Sequence, residues 1–206
     1  MDTILTIQPG RLAAVAMYAA KKDVRFYLQG VCIDTGPMGT FIVATDGAAM
    51  AVHRIDDISR PCAQLLLPLA ALEGAIKANK KSPVLLTLPD GCQGTAKPDA
   101  LRSVTVTVAA AGVASTITEA DCHYPEWRRV TRHQDAAEMA CFDPAIVDRV
   151  ARSSALIHKG TFPAMLRPGG HGCGFAWLDA VGECVAYVMP MRQKPSDLPH
   201  TPSMTY

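Results

Sequence analysis

The sequence predicts an α+β fold of mostly antiparallel sheet, in which one strand–helix–three-strand unit occurs three times. Segments with this plan begin at Thr3, Cys62 and Ala137. Each opens with a short run of alternating apolar residues, continues through a proline into a helical pattern, and ends in several strand-like runs. Such an order is typical of α+β domains. Because one unit is too small to bury its own apolar faces, we expect the units to pack on one another.

The first unit runs from "TILTI" into a helix that is predicted to begin at Pro9, since proline suits the first helical turn. Lys21 and Lys22 are expected to end this helix, because cations there complement the helix dipole. Three strands are then predicted, at "RFYLQGVCID", "TFIVAT" and "AAMAVHRI". The apolar face of the helix has i, i+3, i+4, i+7 spacing and consists of Leu12, Val15, Ala16 and Ala19.

The second unit repeats these features from "CAQLLL" onward. Its helix is predicted to begin at Pro68 and to end on Lys80 and Lys81, and strands are predicted at "VLLTL", "SVTVTV" and "ASTITEA". The apolar face of this helix consists of Leu72, Ala75 and Ile76.

The third unit begins with "AEMACFD". Its helix is predicted to run from Pro144 to Lys159, and strands are predicted at "FPAML", "GFAWLD" and "ECVAYVM". The apolar face of this helix consists of Ile146, Val147, Val150 and Leu156.

Helices on one side of continuous sheets would gather their polar faces on one surface. The net charge of +1 gives no overall attraction to nucleic acid, so any such binding must depend on local clusters of charge. Acids are few on the predicted helices, and the cations that would form a DNA-binding surface are Arg11, Lys21, Lys22, Lys77, Lys80, Lys81, Arg149, Arg152 and Lys159.

Length and composition indicate a protein of the cytoplasm. The 206 residues, 49% of them apolar, suffice for one large or two small domains. Seven cysteines, an odd number without a CxxC pair, indicate free thiols in a reducing compartment. The first residues lack the pattern of a signal peptide, and no apolar run has the length of a membrane span, so no membrane partner is expected.

The sequence does not predict an enzyme, a cofactor or a metal site. It contains no Walker loop, no GxSxG and no HExxH, and "GGHGCG" precedes a strand-like run, which favours a hairpin loop over a dinucleotide site. The pairs Cys122–His123 and His171–Cys173 each offer two ligands, whereas zinc requires about four. "ATDG", at 44–47, offers a carboxylate at a strand end, but Asp-Gly is a common tight-turn pair and the turn is favoured.

Four segments occur in this order along the chain: "DVRFYLQGVCID", "ATDGAAMAV", "YPEWRRV" and "VAYVMPMR". Together they resemble the bacterial sliding clamp, the beta subunit of DNA polymerase III. The resemblance implies a DNA clamp fold, in which helices line a channel around duplex DNA and sheets form the rim. The cationic helix faces would then contact phosphates without reading sequence. The implied partners are double-stranded DNA, DNA polymerase or other proteins with clamp-binding motifs, and further copies of this chain in a homo-oligomer.

The resemblance also implies an apolar pocket for client peptides. Methionines adapt to varied apolar partners and an arginine can bond to the polar groups of a peptide, although filling of an ordinary core is the alternative for the methionines. The implied pocket residues are Leu28, Thr45, Gly47, Met50, Pro125, Arg129, Val130, Tyr187, Val188, Met189, Pro190, Met191 and Arg192.

The chain departs from the clamp pattern in length, in one motif and at its end. Residues 1–132 resemble the middle clamp domain, residues 137–192 resemble the second half of the last domain, and 193–206 form a tail that is either flexible or a peptide for the chain's own pocket. A ring of twelve units would need four such chains, with a dimer or a monomer as alternatives. Ala48 and Ala49 replace the polar residues that follow "ATDG" in clamps. A peptide-binding module without a ring is therefore the alternative function.

Overall fold

The structure, a computed structural model, describes residues 3–78, 82–88, 101–108, 113–131, 141–158, 167–168 and 173–191. The first unit contains β1 (Thr3–Ile7), α1 (Pro9–Ala16), β2 (Gly30–Gly36), β3 (Gly39–Thr45) and β4 (Ala49–Asp56). The second contains β5 (Ala63–Pro68), α2 (Leu69–Ala78), β6 (Val84–Leu88), β7 (Ser103–Val108) and β8 (Val113–Thr118). The third contains α3 (Pro144–Ile157), β9 (Arg167–Pro168), β10 (Gly174–Trp177) and β11 (Cys184–Val188). Short 3₁₀ turns occur at Phe26–Leu28 and Trp127–Arg129.

The first two units exchange their opening strands. β1 pairs with β6 of the second unit, and β5 pairs with β2 of the first. The result is a four-stranded sheet in the order β1-β6-β7-β8 and a seven-stranded sheet in the order β5-β2-β3-β4-β11-β10-β9, and the pairs within both are antiparallel. The predicted α+β class with antiparallel sheets is confirmed, and the exchange explains why one unit cannot form a core alone.

The third unit extends the sheet of the first. β11 lies beside β4, with register from Cys184 opposite His53 to Val188 opposite Ala49. On the helical side α3 packs against α1, so closely that a Cβ on Gly10 would lie 2.3 Å from the carbonyl oxygen of Leu156. Among the described residues of the predicted opening strand, 141–143 form no strand, and the predicted strand "FPAML" lies outside the described residues.

The prediction that the first helix ends on lysines was wrong. α1 ends at Ala16, and Lys21 and Lys22 lie in the loop that follows it. The chain leaves the helix because the N–H of Ala20 donates to the carbonyl of Leu28, across the loop, at 2.9 Å. α3 ends at Ile157 without a cation in its last turn, α2 has Lys77 there, and Lys80, Lys81 and Lys159 lie outside the described residues.

The seven-stranded sheet is apolar on both faces. One face joins the helices and the four-stranded sheet in the main core, which includes Leu12, Ile33 and Leu65. Alternate residues of the same strands point to the other face, where they pack with Tyr124 and Trp127. The second face is covered by the segment that follows β8, residues 120–130, which we call the covering segment. The residues beneath the covering segment that pack with Tyr124 and Trp127 are Cys32, Val43, Met50, Val52, Leu66, Cys173 and Tyr187.

Candidate functional site

An apolar cavity of about 260 Å³ opens on the covered face of the seven-stranded sheet. It lies where four elements meet, namely the end of β11, the turn between β3 and β4, the 3₁₀ turn at Phe26–Leu28, and the covering segment. We call it the β11 pocket. Residues from the predicted peptide-binding set line it, namely Leu28, Thr45, Gly47, Met50, Pro125, Val130, Tyr187, Val188 and Met189. Sequence reasoning missed other lining residues, namely Arg25, Tyr27, Ala49, Glu126 and Trp127.

The irregular end of "VAYVMPMR" forms one lip of the pocket. β11 ends at Val188, one residue before the predicted end, and the N–H of Met189 donates to the carbonyl of Ala48 at 2.9 Å. Pro190 and Met191 follow without lining the cavity, and the N–H of Met191 donates to the carbonyl of Cys141 at 2.7 Å. Met189 and Met191 are both exposed, which is unusual for methionines that fill a core. Arg129 is exposed beside the pocket, and Arg192 lies outside the described residues.

The turn between β3 and β4 forms the second lip. Thr45 Oγ1 donates to the carbonyl of Ala49 at 2.8 Å and accepts from the N–H of Gly47 at 3.0 Å. Asp46 Oδ1 accepts from the N–H groups of Ala48 and Ala49, both at 2.9 Å. Gly47 has φ +91°, which a residue with a side chain rarely adopts. The predicted turn at "ATDG" is therefore confirmed, and the Asp46 carboxylate serves to fix its shape.

A buried carboxylate holds the covering segment in place. Asp34, on β2, is 2% exposed and accepts at Oδ2 from Trp127 Nε1 at 2.7 Å and from Gln64 Nε2 at 3.0 Å. Arg128 forms a bidentate pair with the same carboxylate, at 2.7 and 3.0 Å. The Arg128 guanidinium also lies over the rings of Trp127, at 4.5 Å, and Phe41, at 5.8 Å. An aspartate inside an otherwise apolar strand, upstream of a Trp-Arg pair, was the available sequence signal.

The rim of the pocket has charges of both signs. Arg25 pairs with Asp23 through two nitrogens, at 3.0 and 2.8 Å, and its hydrogen bonds lower the pKa of Asp23 to about 2. The same guanidinium donates to the carbonyl of Asp46 at 3.3 Å, so it is held over the turn. Glu126 provides a negative charge on the covering segment. Inside, burial raises the pKa of Tyr187 to about 12, so its phenol stays neutral at physiological pH.

Two of the predicted DNA-binding cations are committed to internal ion pairs. Arg11 is 19% exposed and lies 3.1 Å from Asp179 Oδ2 and 2.6 Å from Glu183 Oε2, both in the turn between β10 and β11. Arg149, on α3, is 23% exposed and lies 2.6 Å from Asp46 Oδ2. These pairs join the first unit to the third, so the geometry assigns Arg11 and Arg149 to the junction.

The other described cations of the predicted set reach solvent. Lys77 on α2 and Arg152 on α3 are exposed and pair with acids one turn away, at 2.7 Å to Glu73 and 2.8 Å to Asp148. Such exposed pairs are weak and leave both cations accessible. Lys21 and Lys22 are also exposed.

Within the described ranges no group of three or more His, Cys, Asp or Glu side chains is arranged to hold a metal ion. None of the helices described is both long and apolar enough to cross a membrane.

Among known proteins, the chain is similar to solved structures but has no match by sequence. No protein-family profile and no curated protein sequence matches it. The DNA polymerase III subunit beta of Pseudomonas aeruginosa superposes with a TM-score of 0.65 at 13% identity, over 93% of this chain and 66% of that one. The Borrelia burgdorferi subunit gives 0.65 at 11% identity, over 92% and 64%. The Thermotoga maritima subunit gives 0.59 at 13% identity, over 92% and 65%.

The chain therefore has the fold of bacterial sliding clamps, as the sequence motifs predict. It spans a little less than two thirds of the length of these clamps.

Proposed function

From the sliding-clamp fold of this chain, we propose that it is a clamp-like accessory protein of DNA replication that docks short peptide segments of client proteins in the β11 pocket. The observation that carries the proposal is the pocket itself, which four separate elements of a single chain complete. The protein is proposed to act by binding, without catalysis or a cofactor, in the cytoplasm. Its proposed clients are DNA polymerase and other proteins with clamp-binding motifs.

The chemistry of the pocket suits a short apolar peptide. A volume of about 260 Å³ accommodates one or two large aliphatic side chains. Hydrogen bonds to Asp34 and Asp46 hold the walls of the pocket in place. A peptide therefore binds to walls that are already ordered, and the entropy cost of binding is small. Met50 and Met189 supply unbranched apolar side chains that adjust to different clients, and the backbone of the lips offers polar groups.

Met189→Ala is expected to weaken peptide binding roughly tenfold, because the exposed thioether side chain would be buried by the peptide. The measurement is the Kd of a labelled peptide that contains the clamp-binding motif of a bacterial DNA polymerase III. Met38→Ala is the matched control, since Met38 is an exposed methionine that does not line the pocket. Equal affinities for wild type and Met189→Ala would contradict the assignment of the pocket.

Contact with duplex DNA is the second part of the proposal. Lys77 and Arg152 support it, because they place accessible cations on two different helices. A ring would require several chains, so a homo-oligomer is proposed. Binding would be to phosphates and therefore independent of sequence and sensitive to salt.

The variant Lys77→Ala/Arg152→Ala is expected to bind duplex DNA more weakly, with a slope of log K against log salt reduced by about 2. Fluorescence anisotropy of labelled duplex over a salt series measures this. Arg54→Ala serves as the control, because Arg54 is exposed on β4 on the face opposite the helices. A slope that changes equally in the control would contradict the proposed DNA surface.

The alternative is a peptide-binding module that does not form a ring and modulates replication or repair by capturing clamp-binding peptides. It is favoured by the completion of the β11 pocket within one chain, which makes peptide binding independent of assembly. Light scattering and DNA retention separate the two functions. A strict monomer at micromolar concentration, with no difference between circular and linear DNA, supports the module; retention on circular DNA that is lost on linearisation supports the ring.

A further inference from the structure

A second cavity, of about 450 Å³, lies next to the β11 pocket on the other side of one 3₁₀ turn. We call it the Phe26 groove. Leu28 lines the pocket, whereas Phe26, from the same turn, lines the groove. Since consecutive Cα atoms are about 3.8 Å apart, the two residues are separated by less than about 8 Å. The groove is lined mainly by apolar residues from β5, the start of α2 and the covering segment, among them Leu66, Pro68, Leu69 and Ala120.

The walls of the Phe26 groove are fixed by hydrogen bonds. The Gln29 side chain donates to the carbonyl of Asp23 at 2.6 Å, and the N–H of Leu69 donates to the carbonyl of Gln29 at 3.0 Å. The N–H of Ala120 donates to the carbonyl of Leu66 at 2.8 Å. These bonds tie the loop after α1 to the start of α2, and the covering segment to β5, which leads directly into α2. The groove is therefore a formed surface, ready for a ligand.

An aromatic side chain stands exposed at this groove. The side chain of Phe26 is 60% exposed. The backbone around it is nevertheless fixed, because the N–H of Leu28 donates a hydrogen bond to the carbonyl of Arg25 at 2.9 Å. A large exposed aromatic ring beside an apolar groove is a common feature of binding surfaces.

The charge around the groove is positive. Lys21 lines it, and Lys22 is exposed next to it. Neither lysine lies within ion-pair distance of a carboxylate in the described part of the chain, but the pKa of Glu73 is lowered by Lys77 and, less strongly, by Lys21, so Glu73 already attracts Lys21. The one acid of the lining, Glu73, is paired with Lys77 at 2.7 Å. A ligand of the groove would therefore gain from carboxylates near its apolar part.

We propose that the Phe26 groove binds the flanking part of the same client segment that fills the β11 pocket. This inference rests on the proposed function. The flank has a bulky apolar residue for the groove and acidic residues for Lys21 and Lys22. An extended peptide advances about 3.3 Å per residue, so a few residues cross the turn between the cavities. The client site is thus a bipartite surface, in which the pocket takes the motif and the groove selects among clients by their flanks.

The experiment compares peptides of different length. The reference is a labelled peptide that contains only a polymerase clamp-binding motif. Two further pairs of peptides carry an extension at either the N-terminus or the C-terminus of this motif. The extension is Leu-Asp-Asp in one pair and Gly-Ser-Ser in the other. The Leu-Asp-Asp extension at one of the two ends is expected to lower the Kd roughly tenfold, and the Gly-Ser-Ser extension to leave it unchanged. Phe26→Ala is expected to remove the gain and to leave the Kd of the unextended peptide as it was. Lys21→Ala is expected to reduce the gain at low salt.

Val24→Ala is the matched control, because Val24 is 96% exposed, precedes Phe26 in the same loop and does not line the groove. The inference would be overturned if the Leu-Asp-Asp and Gly-Ser-Ser peptides had equal Kd values at both ends. Binding of the unextended peptide would still support the proposed function in that case. A loss in Phe26→Ala that is equal for all peptides would also overturn it. Failure of every peptide to bind wild type would instead remove the β11 pocket, and the inference with it.

Discussion

Asp34→Ala is expected to lower the free energy of unfolding by about 3 kcal/mol and to abolish peptide binding in the protein that remains folded. The substitution removes one carboxylate that accepts from Trp127, Arg128 and Gln64. It leaves the Trp127 N–H buried without its acceptor, which is costly away from water. It also leaves Arg128 without its counter-ion, at a smaller cost, because that side chain is 40% exposed and solvent screens its charge. Since Trp127 lines the β11 pocket, the covering segment loses its position together with its hydrogen bonds.

Two measurements separate the loss of stability from the loss of the site. Urea unfolding gives the free energy, and the Kd of the motif peptide is measured well below the unfolding midpoint. Emission of Trp127, in a Trp177→Phe background, should shift to longer wavelength in Asp34→Ala as the indole gains contact with water.

Asp56→Ala is the control for Asp34→Ala. Asp56 is the last residue of β4, in the same sheet as Asp34, and accepts at 2.5 Å from Arg60 in the loop that follows, but it does not line the pocket. It is expected to cost about 1 kcal/mol and to leave the Kd unchanged. An unchanged Kd in folded Asp34→Ala would show that Asp34 does not position the pocket wall.

Gly10→Ala is expected to destabilise the protein by about 1–3 kcal/mol, although alanine is the better helix former. In an open helix the change from glycine would stabilise by up to about 1 kcal/mol. At Gly10, however, the added Cβ would lie 2.3 Å from the carbonyl oxygen of Leu156 and 3.2 Å from its carbonyl carbon. Because both atoms belong to the backbone of α3, the helices must move apart.

Gly74→Ala provides the matched control for this prediction. Gly74 lies in α2, and apart from its chain neighbours and the backbone of its own helix no described atom is within 4 Å of the position that its Cβ would occupy. We expect this substitution to raise the free energy of unfolding, so the two variants should shift the urea midpoint in opposite directions. If Gly10→Ala stabilises as Gly74→Ala does, α1 and α3 do not pack as closely as described.

Separation of α1 from α3 should also affect the site. The third unit is held to the first by Tyr18 and Ser153, at 3.1 Å between hydroxyl oxygens, and by the ion pairs of Arg11 and Arg149. That unit supplies Tyr187, Val188 and Met189 to the β11 pocket. Peptide binding in Gly10→Ala is therefore expected to weaken, even though the substitution lies on the opposite side of the sheet.

Sequence periodicity predicted most of the elements and their order. Alternating runs predicted the strands at Thr3–Ile7 and Ala63–Pro68, because the period of apolar residues reflects the geometry of each element. The ends of the helices were predicted less well, since the helix from Pro9 was expected to reach Lys22 and ends at Ala16, and the helix from Pro144 was expected to reach Lys159 and ends at Ile157. The strands of the seven-stranded sheet read as nearly continuous apolar runs, since both of its faces are covered. The motifs likewise placed much of the pocket lining, although they did not identify Asp34 or Trp127.

The sequence by itself determined a repeated α+β chain with antiparallel sheets, clamp-like motifs and a tight turn at "ATDG", because these depend on local spacing. Only the tertiary structure decided which arginines form internal ion pairs and how the three repeated units pack on one another. Arg11 pairs with Glu183, which is 172 residues away, and no helical or strand period reports such a contact. The helix before Lys21 ends early because Ala20 bonds to Leu28, and the third unit docks because Gly10 admits Leu156. The β11 pocket depends on such long-range contacts, since its walls meet only after the third unit has extended the sheet of the first.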